Sequence, residues 1–421
     1  MRQHAFNPHG NTTLKILFIH QNLPGQFRHL LFHLGQDPVN DVVAIGEKKR
    51  ILANVRRTIP GLRFYGYDFD PIPRDRISRD LWSAANALRR GRTAAICLKR
   101  LRSEGFYPDV VYGHPGWGEM LHVKDVFPDA RVVNYCEFYF NRDGQDYAYD
   151  PEFPDSDPDG FRIRTENMTQ LVSLVASDAG ISPTRWQKSR YPELFQDRIS
   201  VIHDGIDLDI VKPDPIARVH LPQKSLTLTK SDQVITYVSR NLEPYRGFHV
   251  FMRALPEIQR CLPRAHVLIV GGDDVSYGRP PDAGKYREKY LAEVGPQLDL
   301  SRVHFLGRIP YSDYLRVLQI STAHVYLTYP FVLSWSMLEA MAAGAVVVGS
   351  RTAPVEEVIL HGRNGMLVDF FAQDELVDAL ANVCDDSARA ASLRDAGIAT
   401  VRERFSLRDL CLPRQIETLG L

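Results

Sequence analysis

Short runs of β-branched and aromatic residues alternate along the chain with longer stretches whose apolar residues recur at i, i+3 and i+4. Turn residues bound the short runs and a helical pattern follows most of them, the order expected of βα units and a parallel sheet. In the first half the predicted strands are 14–19, 41–45, 109–112, 131–135, 179–181 and 199–202. In the second half they are 234–238, 265–270, 302–306, 324–327 and 345–348. Helices are predicted between them, for example over 26–34 and 248–261.

The pattern breaks between about Leu208 and Ser231, where Pro213, Pro215 and Pro222 sit in polar, non-periodic chain. Proline fixes φ and removes a backbone donor, so this stretch continues neither kind of element. A strand pattern restarts at Val234. The expected architecture is two doubly wound α/β domains, over residues 14–210 and 211–405, followed by a helix over 406–421 that could pack back on the first. A chain of 421 residues is too long for one compact core, which agrees with that division.

Composition mainly excludes. At 44% hydrophobic and 24% charged the chain is ordinary globular protein. Lys plus Arg and Asp plus Glu are 51 each, and a zero formal charge argues against nucleic acid as a partner. Five cysteines, none in a C-x-x-C pair, fit reduced thiols better than disulfides or zinc. The first thirteen residues are polar, and no run approaches the roughly 18 apolar residues of a membrane span. A cytoplasmic protein is expected, and the Asn11-Thr12-Thr13 and Asn167-Met168-Thr169 sequons read as incidental.

Candidate chemistry sits where strands end. After the first strand come His20 and then Gly25 and Gln26, just before a helix. That loop is either an anion-ready concavity of free N–H groups or a plain βα turn with Gly25 at a special φ. No G-x-G-x-x-G or G-x-x-x-x-G-K-[ST] occurs, which counts against dinucleotide oxidoreductases and P-loop enzymes. Arg240 and Arg246 lie in the loop after the strand at Val234, where cations would neutralise a diphosphate leaving group. On their own they could equally be solvated loop charges.

Further segments follow in order: Val303–Arg308, His324–Pro330, Leu338–Gly344, Ala345–Ser350 and Val355–Val368. Together with Arg240 and Arg246, and with Val201–Asp207 in the first half, this series resembles the family 4 retaining glycosyltransferases of GT-B fold. The resemblance covers nearly the whole chain. It implies two Rossmann-like domains facing each other across a cleft, an acceptor on the N-terminal side and a nucleotide sugar on the C-terminal side. It implies transfer of a glycosyl group with retention to a glycan, glycolipid or small-molecule acceptor, in polysaccharide or cell-surface glycan synthesis. Neither a cofactor nor a metal is expected, since Asp207-Leu208-Asp209, the nearest thing to a DxD pair, falls at the linker.

By this resemblance Glu339 matches the second glutamate of the family's E-x7-E motif, which takes the ribose hydroxyls; two carboxylate oxygens suit two vicinal hydroxyls. Ser334, Trp335, Ser336, Met337 and Leu338 match the turn and helix start beside the donor, and Gly25 and Gln26 are placed with them. Arg240 matches the phosphate-binding arginine, and Arg246 stands near the family's lysine, one residue further along. Eight residues before Glu339, where the family's first glutamate usually contacts the sugar, stands Phe331. That departure leaves sugar specificity open and keeps a second possibility, a weak or inactive sugar-nucleotide-binding protein of the same fold. A GT-B epimerase or phosphorylase is a third, although no motif marks a pyridoxal lysine.

In the first half Glu137 is the ionisable residue near the family's reacting-centre histidine, to be read as catalytic through positioning or as a structural carboxylate. His114 and His20 are candidates for the acceptor side, with satisfied loop histidines as the alternative. Asp155 to Glu166 matches a calcium-loop pattern, but Pro151, Pro154 and Arg162 spoil its context; a surface loop with a helix N-cap near Asp159 is expected instead. Residues 81–103 carry Arg89, Arg90, Arg92, Lys99, Arg100 and Arg102 without an acid. This is either a solvated face interrupted by Gly91 or a surface for anionic membrane at the inner face, a candidate partner beside donor and acceptor.

Overall fold

The computed structural model describes residues 13–55, 62–155 and 157–421. Asn11 and Thr12 of the first sequon, and Ser156 of the calcium-loop pattern, lie outside them. The chain divides into two compact units. Unit 1 holds the described residues up to Asn141, then Asp159–Asp204 and Cys411–Leu421; unit 2 holds Arg142–Pro158 and Gly205–Leu410.

Unit 1 is built on seven strands: β1 (Leu14–Ile19), β2 (Asn40–Glu47), β3 (Leu62–Tyr67), β4 (Val110–Gly113), β5 (Arg131–Tyr135), β6 (Ala179–Ser182) and β7 (Ile199–Val201). They form one parallel sheet in the order β3-β2-β1-β4-β5-β6-β7. Ile16 to Ile19 and Val42 to Ile45 are all fully buried, as strands covered on both faces require. The order reverses between β1 and β4, so the crevice beyond their C-terminal ends is the place for a ligand. His20 and His114 directly follow those two strands.

Unit 2 repeats the plan with β10 (Val234–Asn241), β11 (His266–Gly272), β12 (Val303–Gly307), β13 (Ala323–Tyr326), β14 (Val346–Ser350) and β15 (Met366–Val368). These strands are parallel in the order β12-β11-β10-β13-β14-β15. Here the reversal falls between β10 and β13, and the loops after them carry Arg246 and Phe331. Both sheets belong to the α/β class expected.

Several local expectations are corrected. The stretch read as featureless linker contains an antiparallel hairpin, β8 (Arg218–Leu221) and β9 (Leu226–Thr229). Its Leu221 and Leu228 pack with Ala217 on Leu268, Val270, Val317 and Ile320, so a few apolar residues suffice to order it. The basic stretch is one continuous helix, Arg79–Ser103, and Gly91 does not interrupt it. A Cβ on Gly91 would stand 2.7 Å from the Gly118 carbonyl oxygen, and one on Gly118 would stand 2.0 Å from the Ala87 carbonyl oxygen. Helix and loop therefore meet backbone to backbone, a contact that only glycine permits; it offsets the roughly 1 kcal/mol that glycine costs inside a helix.

The segment Arg142–Pro158 belongs to unit 2 although most of its sequence neighbours belong to unit 1. Asp150 is buried there against His249 (3.0 Å) and the Tyr329 hydroxyl (2.7 Å), and Tyr149 packs on Tyr329 and Phe370. The last helix, Leu412–Leu419, lies in unit 1, where Gln415 donates to the His203 carbonyl at 3.0 Å and Arg131 donates to the Thr418 carbonyl at 3.1 Å. No described helix is long and apolar enough to cross a membrane.

Gly105 and Gly118 both have positive φ, +85° and +109°, but only Gly118 is crowded. Gly105→Ala should cost about 1 kcal/mol, the left-handed strain alone, and Gly118→Ala about 3 kcal/mol or more once the clash is added. Urea unfolding of both variants checks this; equal losses would mean that the helix and the loop do not press on each other.

Candidate active site

In unit 2, β10 leads into a single turn at Pro244–Arg246, which ends at Gly247 with φ +68°. A Cβ on Gly247 would stand 2.3 Å from the Leu327 Cβ, so glycine lets this loop press against the one after β13. The Tyr237 hydroxyl donates to the Arg246 carbonyl at 2.7 Å and anchors the turn from below. Arg246 then points inward and is 92% buried, its relative exposure being 8%. Its Nη1 donates to Thr328 Oγ1 (2.7 Å) and to the Tyr326 hydroxyl (3.3 Å), and its Nη2 donates to the Val332 carbonyl (3.1 Å).

All three acceptors are neutral. Among the described residues no carboxylate forms an ion pair with Arg246. Aromatic rings fill the other sides: Tyr277 and Phe331 have their centroids 5.5 and 5.7 Å from the guanidinium carbon. Phe331 also lies against Tyr277 (4.9 Å) and Tyr245 (5.4 Å). Burying a cation costs several kcal/mol unless charge of the other sign repays it, so the arrangement is suited to an anionic ligand.

Glu243 makes this possible without competing for the cation. Its buried carboxylate accepts the backbone N–H groups of Ser276 (3.0 Å), Tyr277 (3.1 Å) and Gly278 (3.1 Å), which fixes the loop after β11 and with it the Tyr277 ring. Sequence reasoning missed Glu243 and Tyr277. An acid placed between two loop arginines was a visible signal for Glu243; nothing local marks Tyr277. Arg240 is exposed, and its side chain makes no hydrogen bond or ion pair among the described residues.

The loop after β13 ends at Ser334, the N-cap of the helix Trp335–Ala342, whose Oγ accepts from the Ser336 N–H at 3.3 Å. The Ser334 N–H donates in turn to the Tyr326 hydroxyl at 2.7 Å, so Tyr326 joins this cap to Arg246. Trp335 is 37% exposed and Ser336 is buried with its Oγ 3.0 Å from that of Ser334. Met337 and Leu338, expected beside the donor, instead turn fully buried side chains into the core under the helix. Trp335 and Glu339, four residues apart, share the more exposed face of the helix. Glu339 is half-buried and accepts hydroxyl hydrogen bonds from Tyr311 (2.7 Å) and Tyr314 (2.6 Å).

Unit 1 gathers His20, Gly25, Gln26, His114 and Glu137. Gln26 Nε2 donates to Glu137 Oε1 at 2.6 Å, and His114 Nε2 lies 3.0 Å from Glu137 Oε2. The Gly116 N–H donates to His114 Nδ1 (3.1 Å), which assigns the neutral ring's proton to Nε2, facing the carboxylate. Trp117 stacks on His114 with centroids 3.7 Å apart and meets His20 edge-on at 5.0 Å. Burial pushes the Glu137 carboxyl upward, but His114 and Gln26 outweigh it and hold the group below its ordinary value.

His20 is buried, its Nδ1 accepts from the Asn22 N–H (2.9 Å), and its Nε2 has no hydrogen-bond partner among the described residues. Burial, and then the neighbouring His114, lower its pKa to about 3. Gly25 at φ +50° lies against the same ring, since a Cβ there would stand 2.6 Å from His20 Cε1. Gly25 and Gln26, expected with the donor residues, thus belong to the His114–Glu137 cluster of unit 1. Asp207 and Asp209 both pair with Arg408 at 3.1 Å, and Arg162 pairs with Glu166 of the calcium-loop pattern at 2.8 Å. Within that pattern the helix Phe161–Glu166 has Gly160, not Asp159, at its N-cap position, and no side chain caps it.

A model described as Glycosyl transferase family 4 group matches residues 39–211, and one described as Glycosyl transferases group 1 matches residues 223–400. The chain is 26% identical over 231 residues to a GDP-mannose-dependent alpha-(1-6)-phosphatidylinositol monomannoside mannosyltransferase of Mycolicibacterium smegmatis, covering 53% of this chain and 58% of that protein. It spans about half the length of the curated relatives it matches. Among solved structures it is similar to sucrose-phosphate synthase of Thermosynechococcus elongatus, at TM-score 0.69 and 18% identity over 96% of this chain and 97% of that one. Anabaena HepE in complex with UDP gives TM-score 0.66 and 18% identity over 97% of this chain and 100% of that one. At that identity the likeness is one of fold, the GT-B fold.

A pH dependence follows from His20. Its folded pKa of about 3 lies below the ordinary 6.5, so between those values the unfolded chain binds a proton that the folded one refuses. Its contribution is complete above pH 6.5 and is lost as pH falls toward 3. His20→Gln should therefore flatten the fall of unit 1 stability between about pH 6 and 5 by up to about 1.4 kcal/mol per pH unit. Urea unfolding at several pH values measures this; parallel slopes for wild type and variant would contradict the buried neutral imidazole.

Proposed function

The chain belongs to the family 4 glycosyltransferases of GT-B fold, and from that premise we propose that it moves a glycosyl group from a nucleoside diphosphate sugar to a glycan, glycolipid or small-molecule acceptor. The observation that carries the proposal is the buried Arg246 guanidinium, surrounded by neutral acceptors and rings at the switch point of the unit 2 sheet. A diphosphate supplies the charge that this cation lacks, and more of it as the bond from the anomeric carbon to phosphate breaks. Exposed Arg240 on the same loop adds a second cation. Glu339, on the helix after the β13 loop, takes the ribose.

Transfer proceeds with retention. The bond between the anomeric carbon and the phosphate oxygen breaks, the acceptor oxygen bonds to the same face of that carbon, and the departing phosphate oxygen takes the acceptor's proton. No base on the protein is needed for that balance. In unit 1, Glu137 is held as an anion by His114 and Gln26 and serves to orient an acceptor hydroxyl. The product belongs to polysaccharide or cell-surface glycan synthesis in the cytoplasm. A nucleotide-sugar-binding protein without turnover remains the second possibility, favoured by the aromatic ring of Phe331 where the family's first glutamate would stand.

A glycolipid acceptor brings the chain to a membrane surface. The helix Arg79–Ser103 exposes Leu88 (58%) and Ile96 (69%) beside Arg89, Arg92 and Lys99, a face that fits anionic lipid. Flotation with vesicles rich in anionic phospholipid at low salt should carry the protein upward; protein left at the bottom would remove the membrane from this scheme.

The donor assignment is tested by thermal shift with a panel of nucleoside diphosphate sugars, including GDP-mannose and UDP-glucose. One nucleotide class should raise the melting temperature, with about 2.7 kcal/mol of stabilisation at a hundred times Kd. Arg246→Met and Glu339→Ala should lose most of that response. If no nucleotide stabilises the wild type, or both variants respond as it does, the donor site lies elsewhere.

A further inference from the structure

The carboxylate proposed for the ribose does not stand alone. Glu339 Oε1 accepts from the Tyr311 hydroxyl at 2.7 Å, and Oε2 accepts from the Tyr314 hydroxyl at 2.6 Å. The two tyrosines occupy positions i and i+3 of the helix Tyr311–Ile320, which places them side by side, with ring centroids 5.6 Å apart and planes tilted by 32°. Glu339 comes from a different helix, Trp335–Ala342. One donor from the first helix therefore meets each oxygen of a single carboxylate on the second.

An ionised carboxylate offers about four lone-pair positions, so two remain after the tyrosines are counted, one on each oxygen. Two vicinal hydroxyls, each donating to its own oxygen, would use both. Such a diol is recognised well only if the carboxylate plane is set beforehand, because a glutamate free to turn loses that freedom on binding. Two hydroxyls on two oxygens hold both the position and the rotation of the plane. Burial, and then the charge of Glu339, push the Tyr314 hydroxyl far above its ordinary pKa, so it remains a donor.

We propose that Tyr311 and Tyr314 are positioning residues that hold the Glu339 carboxylate so that its remaining lone pairs receive the 2′- and 3′-hydroxyls of the donor's ribose. This rests on the assignment of Glu339 to the ribose made above. The tyrosines touch the nucleotide's diol only through Glu339, so their effect must appear in discrimination between ribose and deoxyribose.

The test is calorimetric titration with GDP and 2′-deoxy-GDP, and with UDP and 2′-deoxy-UDP. Wild type, Glu339→Gln, Tyr311→Phe, Tyr314→Phe and the double phenylalanine variant are compared. Wild type should prefer the ribonucleotide by about tenfold or more, the scale of one hydrogen bond to a charged group. The double variant should lose most of that preference through weaker binding of the ribonucleotide, with the deoxynucleotide affinity changed less than about twofold. A brace that was merely structural would weaken both nucleotides alike and leave their ratio intact, which would overturn the proposal. Tighter ribonucleotide binding in the variants would also overturn it, since the tyrosines would then be competing with the ribose hydroxyls for the lone pairs of Glu339. If Glu339→Gln itself kept the wild-type ratio, the ribose assignment would fall and the brace with it. Collapse of the ratio in Glu339→Gln but not in the phenylalanine variants would strike the brace alone.

Discussion

A buried guanidinium with only neutral partners is the constraint on which the candidate site of unit 2 depends. Arg246 could be placed inward because its turn is held from several directions: by Tyr237 on its carbonyl, by Gly247 against Leu327, and by Thr328, Tyr326 and Val332 on its nitrogens. Most of these contacts link the loop after β10 to β13 and the loop that follows it, the two elements that border the sheet's switch point. Hydrogen bonds to neutral oxygens satisfy the donors without cancelling the charge. The carboxylate nearest in sequence, Glu243, is spent on three backbone N–H groups and stabilises the site without neutralising it.

Unit 1 balances its charges in the opposite way. Its carboxylate, Glu137, is fully partnered by an imidazole and an amide, and the neighbouring His20 stays neutral in a pocket of rings. Such a cluster orients a hydroxyl more readily than it holds a phosphate. The glycine contact between the helix Arg79–Ser103 and Gly118 belongs to the same design, because Gly118 lies in the loop that carries His114 and Trp117. A clash there would move the stacked pair.

Much of this was legible in the sequence for a physical reason. Strands buried on both faces read as unbroken apolar runs, so β1, β2, β4, β5, β10, β11, β13 and β14 were visible. The edge strand β3 alternates and β15 has only three residues, and both escaped. The hairpin of β8 and β9 was hidden by its prolines, and the helix Arg79–Ser103 by a glycine whose purpose is a tertiary contact. Arg246, Glu137 and His114 follow strands and Glu339 stands just inside a helix, positions that the sequence marks as candidates. The partners that give them meaning, Tyr277, Glu243, Tyr311 and Tyr314, act across the fold, and no local pattern announces them. Met337 and Leu338 were placed by the motif alone, and the core burial of their side chains is not something the motif announces.

The central claim is that unit 2 binds a nucleoside diphosphate with its phosphates at Arg246 and its ribose at Glu339. A crystal structure of the chain with bound GDP or UDP tests it most directly. The account predicts phosphate oxygens within hydrogen-bond distance of the Arg246 or Arg240 guanidinium, and both ribose hydroxyls on the Glu339 carboxylate. A nucleotide seated with its phosphates away from both arginines, or its ribose away from Glu339, would contradict it.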